Sequence, residues 1–305
     1  MIHQTNKPPK QDIHGWLVLD KPTGITSAAA VARVKKVLQC KKIGHGGTLD
    51  PLASGILPLA LGEATKLFDY VVSEKKTYQF EVTWGQERDT DDSEGRVVAS
   101  SENRPSREQI QCILPEFTGV ILQTPPDYSA IKIGGERAYA LARAGNAVTI
   151  QPREVEIDVI SIVSHDDSGK TLFHATCGKG TYVRALARDF GRKLNCLGYI
   201  SSLRRTAVGA FRESLAISLE KLEEIGHNAA LTQGVVALES MLDDILAIDV
   251  DLNQSAKLRR GQPVFMFKST GAEEGSILAV KEAGKLVALG EVKGRLIQPV
   301  RVFNH

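Results

Sequence analysis

Apolar and polar positions alternate over Lys76–Trp84, with Tyr78, Phe80, Val82 and Trp84 on one face, which predicts a strand with one buried side. Trp16–Asp20 (WLVLD) is instead a short continuous apolar run closed by Lys21-Pro22 and Gly24, a strand entering a loop. Thr26-Ser27 then offers an N-cap for a helix through Leu38 that presents Val31, Val34 and Leu38 on one side. Ser106 and Gln109 form a capping-box pattern ahead of Ile110, Ile113 and Leu114, and Pro115 ends or kinks that helix. Glu136–Ala144 predicts a helix stopped by Gly145, and Thr181–Leu194 a helix rich in arginine. Glu154–Val163 and Lys170–Thr176 predict further strands. Helices and strands mix without strict alternation, so the fold class is α+β.

From about Ile248 the texture changes to short apolar runs (PVFMF, SILAV, LVALGEV, LIQPVRVF) between glycines, the pattern of a small β-rich module. The expected division is a disordered tail over 1–14, a main domain over 15–247 and the module over 248–305. A length of 305 residues fits that number of domains. With 42% hydrophobic and 24% charged residues, composition excludes a disordered chain. No apolar run approaches the roughly 20 residues of a membrane span, and no apolar segment follows the N-terminal lysines as in a signal peptide. Four cysteines without a C-x-x-C pair argue against a zinc ribbon or a disulfide framework. The expectation is a cytoplasmic protein with no metal site.

Net charge is only +2, but its distribution is uneven. Lys179 to Arg205 holds seven basic residues against Asp189 alone, while Glu87–Glu94 (ERDTDDSE) is acidic. Segregated basic blocks suit a polyanion, although a solvated helix surface gives the same pattern. Gly44–Gly55 (GHGGTLDPLASG) has four glycines in twelve residues, which lets a ligand approach the main chain. Asp50 sits there between Leu49 and Pro51, so its carboxylate is expected to be partly desolvated unless a cation pairs with it. By itself an Asp-Pro pair reads equally as a turn. No G-K-[ST] follows the glycines, which excludes a P-loop, and His45 with Asp50 lacks metal-ligand spacing. Tyr78 by itself reads as core, and Arg184, two residues past Tyr182, as a surface salt bridge or a partner for a buried carboxylate or phosphate.

Taken in order, Leu19–Ser27 (LDKPTGITS), His45–Gly55 (HGGTLDPLASG) with Leu61–Lys66 (LGEATK), Lys76–Phe80 (KTYQF), Lys179–Leu186 (KGTYVRAL) and Leu203–Thr206 (LRRT) closely resemble the bacterial TruB family of transfer-RNA pseudouridine synthases. The resemblance runs from about Gly15 to Arg212. It implies a mixed central sheet of the pseudouridine synthase type followed by a PUA-like RNA-binding domain. It implies that uridine 55 in the T arm is isomerised, with Asp50 as nucleophile. His45, Tyr78, Tyr182 and Leu203 would then contact the substrate, Tyr78 by stacking on the uracil, while Arg184 pairs with Asp50 and Lys21 supports the active-site loop. The chemistry moves a glycosidic bond from N1 to C5 and needs no cofactor, only a flipped-out base and a nucleophile. The implied partner is transfer RNA, with no obligatory protein partner, no membrane and a monomeric state. Two other readings use the same groove: a non-catalytic RNA-binding or RNA-folding protein, which has no use for Asp50 beside Arg184, and a guide-RNA-dependent relative.

Overall fold

The computed structural model describes residues 10–72, 75–129, 131–144, 149–166, 168–226, 234–266 and 271–304. The chain opens with β1 (Gly15–Lys21), α1 (Ser27–Leu38), β2 (Ile43–His45), β3 (Ser54–Leu61), the short α2 (Phe68–Val71) and β4 (Lys76–Trp84). A hairpin of β5 (Gln86–Arg88) and β6 (Val97–Ser100), then α3 (Arg107–Ile113), precede β7 (Gly119–Gln123). A second hairpin, β8 (Lys132–Ile133) and β9 (Glu136–Arg137), leads to α4 (Ala138–Arg143). Next come β10 (Arg153–Asp166), β11 (Lys170–Cys177), α5 (Val183–Lys193) and β12 (Gly198–Val208). β13 (Phe211–Arg212), β14 (Ala216–Ser218), α6 (Leu219–Ile225) and β15 (Val235–Val236) complete the first part. The last part holds β16 (Ala247–Asp249), α7 (Leu252–Arg259), β17 (Val264–Phe265), β18 (Ile277–Glu282), β19 (Lys285–Lys293) and β20 (Leu296–Val302).

Eleven strands form one mixed sheet in the order β14-β1-β3-β12-β4-β11-β10-β7, with β2, β13 and β15 on the flanks of β3, β12 and β1. Most pairs are antiparallel; β3 with β12 and β1 with β14 are parallel. The last five strands make a separate sheet in the order β16-β18-β19-β20-β17. The fold is therefore α+β, a large mixed sheet followed by a smaller β-rich unit.

The continuous apolar run of β1 follows from burial on both faces. Leu17 and Leu19 join the core under the helices with Val34, Leu38, Phe80, Phe173, Leu186 and Phe190. Trp16 and Val18 point the other way, into a second core with Phe211, Leu238, Leu289 and Phe303. That second core is shared between the large sheet and the C-terminal unit, and Lys66 adds to the seam by donating from Nζ to the Val302 carbonyl at 2.8 Å.

The local signals for α1 and α3 hold. Thr26 accepts from the Ala29 amide, and Ser106 and Gln109 cap each other reciprocally. Two expectations differ, and the basic block, read either as a face for a polyanion or as a solvated helix surface, turns out closer to the second. The segment 136–144 is split, because Glu136–Arg137 pairs with Lys132–Ile133 as a hairpin and helix begins only at Ala138; Gly145 lies outside the described residues. The tail expected to be disordered is placed from Lys10 onward, since Gln11 bridges Cys40 and accepts from the Lys41 amide; residues 1–9 lie outside the described residues. The basic block at 179–205 is largely neutralised by the fold: Arg192 pairs with Glu87, Lys193 with Glu116, Arg188 with Asp91, and Arg204 with Asp20 and Glu213. Among the described residues, no helix is long and apolar enough to cross a membrane.

Candidate active site

The loop between β2 and β3 is pinned from below by the turn that follows β1. Ser27 Oγ accepts from the Leu49 amide at 2.8 Å and donates to the Leu49 carbonyl at 2.9 Å. The Gly24 amide donates to the Pro51 carbonyl at 2.8 Å, and Ala53 closes a turn onto the Asp50 carbonyl. Lys21, fully buried, donates from Nζ to the Pro22 and Ile25 carbonyls and so fixes that turn from inside. Burial lowers its pKa to about 8, opposed by the nearby Asp50. This is how Lys21 supports the loop: it braces the turn that holds Leu49 and Pro51 on either side of Asp50.

Asp50 faces a cleft of about 780 Å³ together with His45, Tyr78, Tyr182, Arg184 and Leu203. The six come from four separate segments of the chain, 45–50, 78, 182–184 and 203, and meet in one cavity, with Lys21 beneath it. Asp50 was expected to be partly desolvated unless a cation pairs with it, and the cation is present: its side chain is 41% exposed to the cleft and meets a guanidinium. What holds it is charge: Arg184 Nε lies 2.9 Å from Oδ2. Arg184 itself is 5% exposed and does more than one job. It donates to the Thr90 and Tyr128 carbonyls at 2.8 and 3.0 Å and lies 3.5 Å from Asp92 Oδ2. A planar guanidinium suits this, because its five donors fan out in fixed directions. The Asp50 contact is thus an ion pair at the edge of a guanidinium already fixed by two carbonyls and a second carboxylate.

Tyr78, 8% exposed, is both core and cleft wall. Burial raises its phenol pKa, so it stays neutral at physiological pH. Leu203 lies across from Phe80 in the β4–β12 register and is 6% exposed. His45 is pushed toward its neutral form, first by burial and then by the charge of Arg205. Tyr182 caps α5 and is held by a buried glutamine: Gln123 accepts from its amide at 2.8 Å and donates to its carbonyl at 3.1 Å. The Arg153 guanidinium lies over its ring at 5.2 Å.

Four participants escaped the sequence reading: Asp92, Gln123, Ser27 and Arg205. Asp92 was visible only as part of an acidic run, and Gln123 carried no signal at all. Arg205 was counted as one charge in a basic block, yet it is 1% exposed and lines the cleft beside Tyr78.

The site is thus a nucleophile-ready carboxylate paired with a fixed arginine, facing an aromatic wall. A carboxylate so placed can attack an electrophilic carbon, or take a proton from one, in a base stacked on Tyr78. Residues 35–183 match the family described as TruB family pseudouridylate synthase (N terminal domain), and residues 184–246 the tRNA pseudouridylate synthase B C-terminal domain. The chain is 53% identical over 300 residues to tRNA pseudouridine synthase B of Rhodopseudomonas palustris, covering 97% of this chain and 82% of that one. It is 48% identical to the protein of that name in Sinorhizobium medicae, with 99% of each chain covered. Among solved structures, one from the crystal structure of a Cbf5-Nop10-Gar1 complex has a TM-score of 0.70 at 26% identity, covering 95% of this chain and 85% of that one. From these matches, spread over nearly its full length, the chain belongs to the TruB family of pseudouridylate synthases.

Proposed function

We propose that this protein is a transfer-RNA pseudouridine synthase that isomerises uridine 55 of the T arm, with Asp50 as the nucleophile. The observation that carries the reading is the Asp50–Arg184 pair at 2.9 Å, open to a cleft walled by Tyr78. The identity to relatives named tRNA pseudouridine synthase B supports the reaction and the RNA class. A paired base is out of reach of this cleft, so the nucleotide must be flipped into it and stacked, with Tyr78 as the platform and Leu203 and Tyr182 as remaining walls. His45, at the other lip and neutral, would meet the flipped nucleotide through uncharged hydrogen bonds. Asp50 then attacks C1′ or C6, the uracil turns, and C5 takes the place of N1; no atom is gained or lost, so no cofactor is required.

In this reading residues 15–247 form the catalytic unit and 248–305 a PUA-like RNA-binding unit. The protein works as a cytoplasmic monomer without an obligatory protein partner. A non-catalytic RNA-binding role would leave the Asp50–Arg184–Asp92 arrangement without a purpose. The test is Asp50→Asn on an unmodified T-arm hairpin. Pseudouridine formation is expected to vanish while RNA affinity stays within a few-fold, since the grip on phosphates is untouched. Substantial turnover by that variant would overturn the assignment.

A further inference from the structure

Four arginines of the site region differ in one respect. Arg184 faces Asp50 and Asp92, Arg188 faces Asp91, and Arg204 grips Asp20 with two donors. Arg205, more buried than any of these at 1% exposed, has no carboxylate at ion-pair distance among the described residues. Its guanidinium is held by neutral groups: Nε donates to the Ile56 carbonyl at 2.8 Å, and the two terminal nitrogens to the Gly47 and Thr48 carbonyls at 3.1 and 3.5 Å. The β4–β12 register places Tyr78 beside it, with the phenol within its electrostatic reach. Asp50 is felt only at longer range, and Arg184 already holds its charge. Among the residues that line the cleft, Lys76, Lys179, Arg184 and Arg205 outnumber Asp50 and Asp69, which leaves it with cations in excess, and His45 is pushed toward its neutral form. A buried charge without a counterion is unfavourable to the fold, so its retention in the wall of a cleft points to a charge that arrives later.

The proposed isomerisation, on which this inference rests, makes such a charge by either route. If Asp50 attacks C1′, N1 departs with the electron pair of the N1–C1′ bond. If Asp50 adds at C6, the pair of the C5–C6 double bond moves onto C5 and O4. By the first route C5 then takes C1′ and displaces the Asp50 carboxylate; by the second the N1–C1′ bond breaks with its pair on N1, C5 takes C1′, and Asp50 leaves C6 as the C5–C6 double bond is restored. In both cases the ring is anionic until C1′ bonds to C5, and overall C5 gives up its proton and N1 takes one. We propose that Arg205 stabilises this anionic ring, as a preorganised cation in the cleft wall. A cation fixed in place before the reaction needs no reorganisation when the charge forms.

The test uses full-length Arg205→Gln and Arg205→Lys with T-arm hairpins carrying uridine or 5-fluorouridine at the target, and follows formation of the C1′–C5-linked nucleoside on both, because fluorine at C5 leaves no proton to give up afterwards. Fluorine withdraws electron density and stabilises the anion by itself, so dependence on Arg205 should shrink. Arg205→Gln is expected to lose roughly 10²-fold in single-turnover rate on uridine, as when one oxyanion donor is removed. Its RNA affinity should be retained, its loss should be clearly smaller on 5-fluorouridine, and Arg205→Lys should fall in between. Equal losses on both bases mean that Arg205 only shapes the wall, and no loss means that it does nothing; either overturns the proposal. If Arg205→Gln does not fold, the same comparison on Arg205→Lys decides by the same criterion. Wild-type protein inactive on uridine would instead refute the functional reading itself.

Discussion

Tyr78 satisfies two demands at once, since its ring closes the core beside Phe80 while its face lines the cleft. Tyr78→Leu keeps an apolar filler and loses the stacking surface, so single-turnover rates should fall by orders of magnitude with folding retained; near-normal rates would make it a core residue only. Asp91, next in chain to the Thr90 carbonyl that holds Arg184, is 6% exposed and paired with Arg188 at 3.0 Å. Burial outweighs that attraction and raises its pKa to about 7, from 3.8. The folded state therefore holds a proton that the unfolded chain has released, and the stability tied to it is present below pH 4 and lost as pH rises through 7. Asp91→Asn cannot titrate, so its melting temperature minus that of the wild type should rise from about pH 5 to about pH 8 whatever its offset; a flat difference would contradict the shift. Asp50, His45, Tyr78 and Arg184 were legible because each lies in a short run of fixed order. Asp92 lies in no such run, and Arg205, although inside LRRT, showed no role there, because the roles depend on where the 86–100 hairpin folds and on a strand register.

At the scale of elements, the site depends on one parallel pairing. β3 and β12 meet with Arg205 opposite Gly55, and Gly55 has a φ of 102°. A Cβ there would overlap the backbone of Arg205, and the left-handed conformation disfavours any other residue. Gly55→Ala should cost more than about 3 kcal/mol in chemical denaturation and spoil the cleft together, since a buried backbone clash is among the few severe single-residue mechanisms. A loss under about 1 kcal/mol would show that the pairing slides. The helices α1 and α3 could be read from their caps because a cap is an interaction within three residues. The segment 136–144 was misread for the opposite reason: β9 exists only because β8 is there to pair with it. The acidic run at 87–94 showed only its charge in the sequence; in the fold it supplies Glu87, Asp91 and Asp92 to the arginines of α5 and so orients the helix that carries Arg184.

For the whole molecule, sequence texture separated the C-terminal unit but gave no sign of the core it shares with β1, because that core joins residues more than 200 positions apart. Removing residues 248–305 should therefore do more than weaken RNA binding: it strips Phe303 and Leu289 from Trp16, and the shortened protein is expected to aggregate or melt early in light scattering and calorimetry. The same geometry refines where this unit would touch RNA. Arg259 donates to the Phe303 carbonyl and lies 3.7 Å from Glu282, whereas the side chains of Lys257 and Arg260, likewise exposed, have no partner of that kind among the described residues. Replacing Lys257 and Arg260 with alanine should lower the log–log salt slope of binding by roughly 0.7–0.9 for each phosphate no longer neutralised, while Arg259→Ala should change stability and leave the slope alone. An unchanged slope in the double variant would make both side chains plain solvated surface. The shared core also sets an order of events during synthesis. Trp16 leaves the ribosome well before Phe303, so at roughly 5–20 residues per second the apolar outer face of β1 waits on the order of 15–60 s for the C-terminal part of its cover. Through that interval the nascent chain carries an open, adhesive strand face, which makes this protein a natural client for whatever shields apolar surface at the exit tunnel.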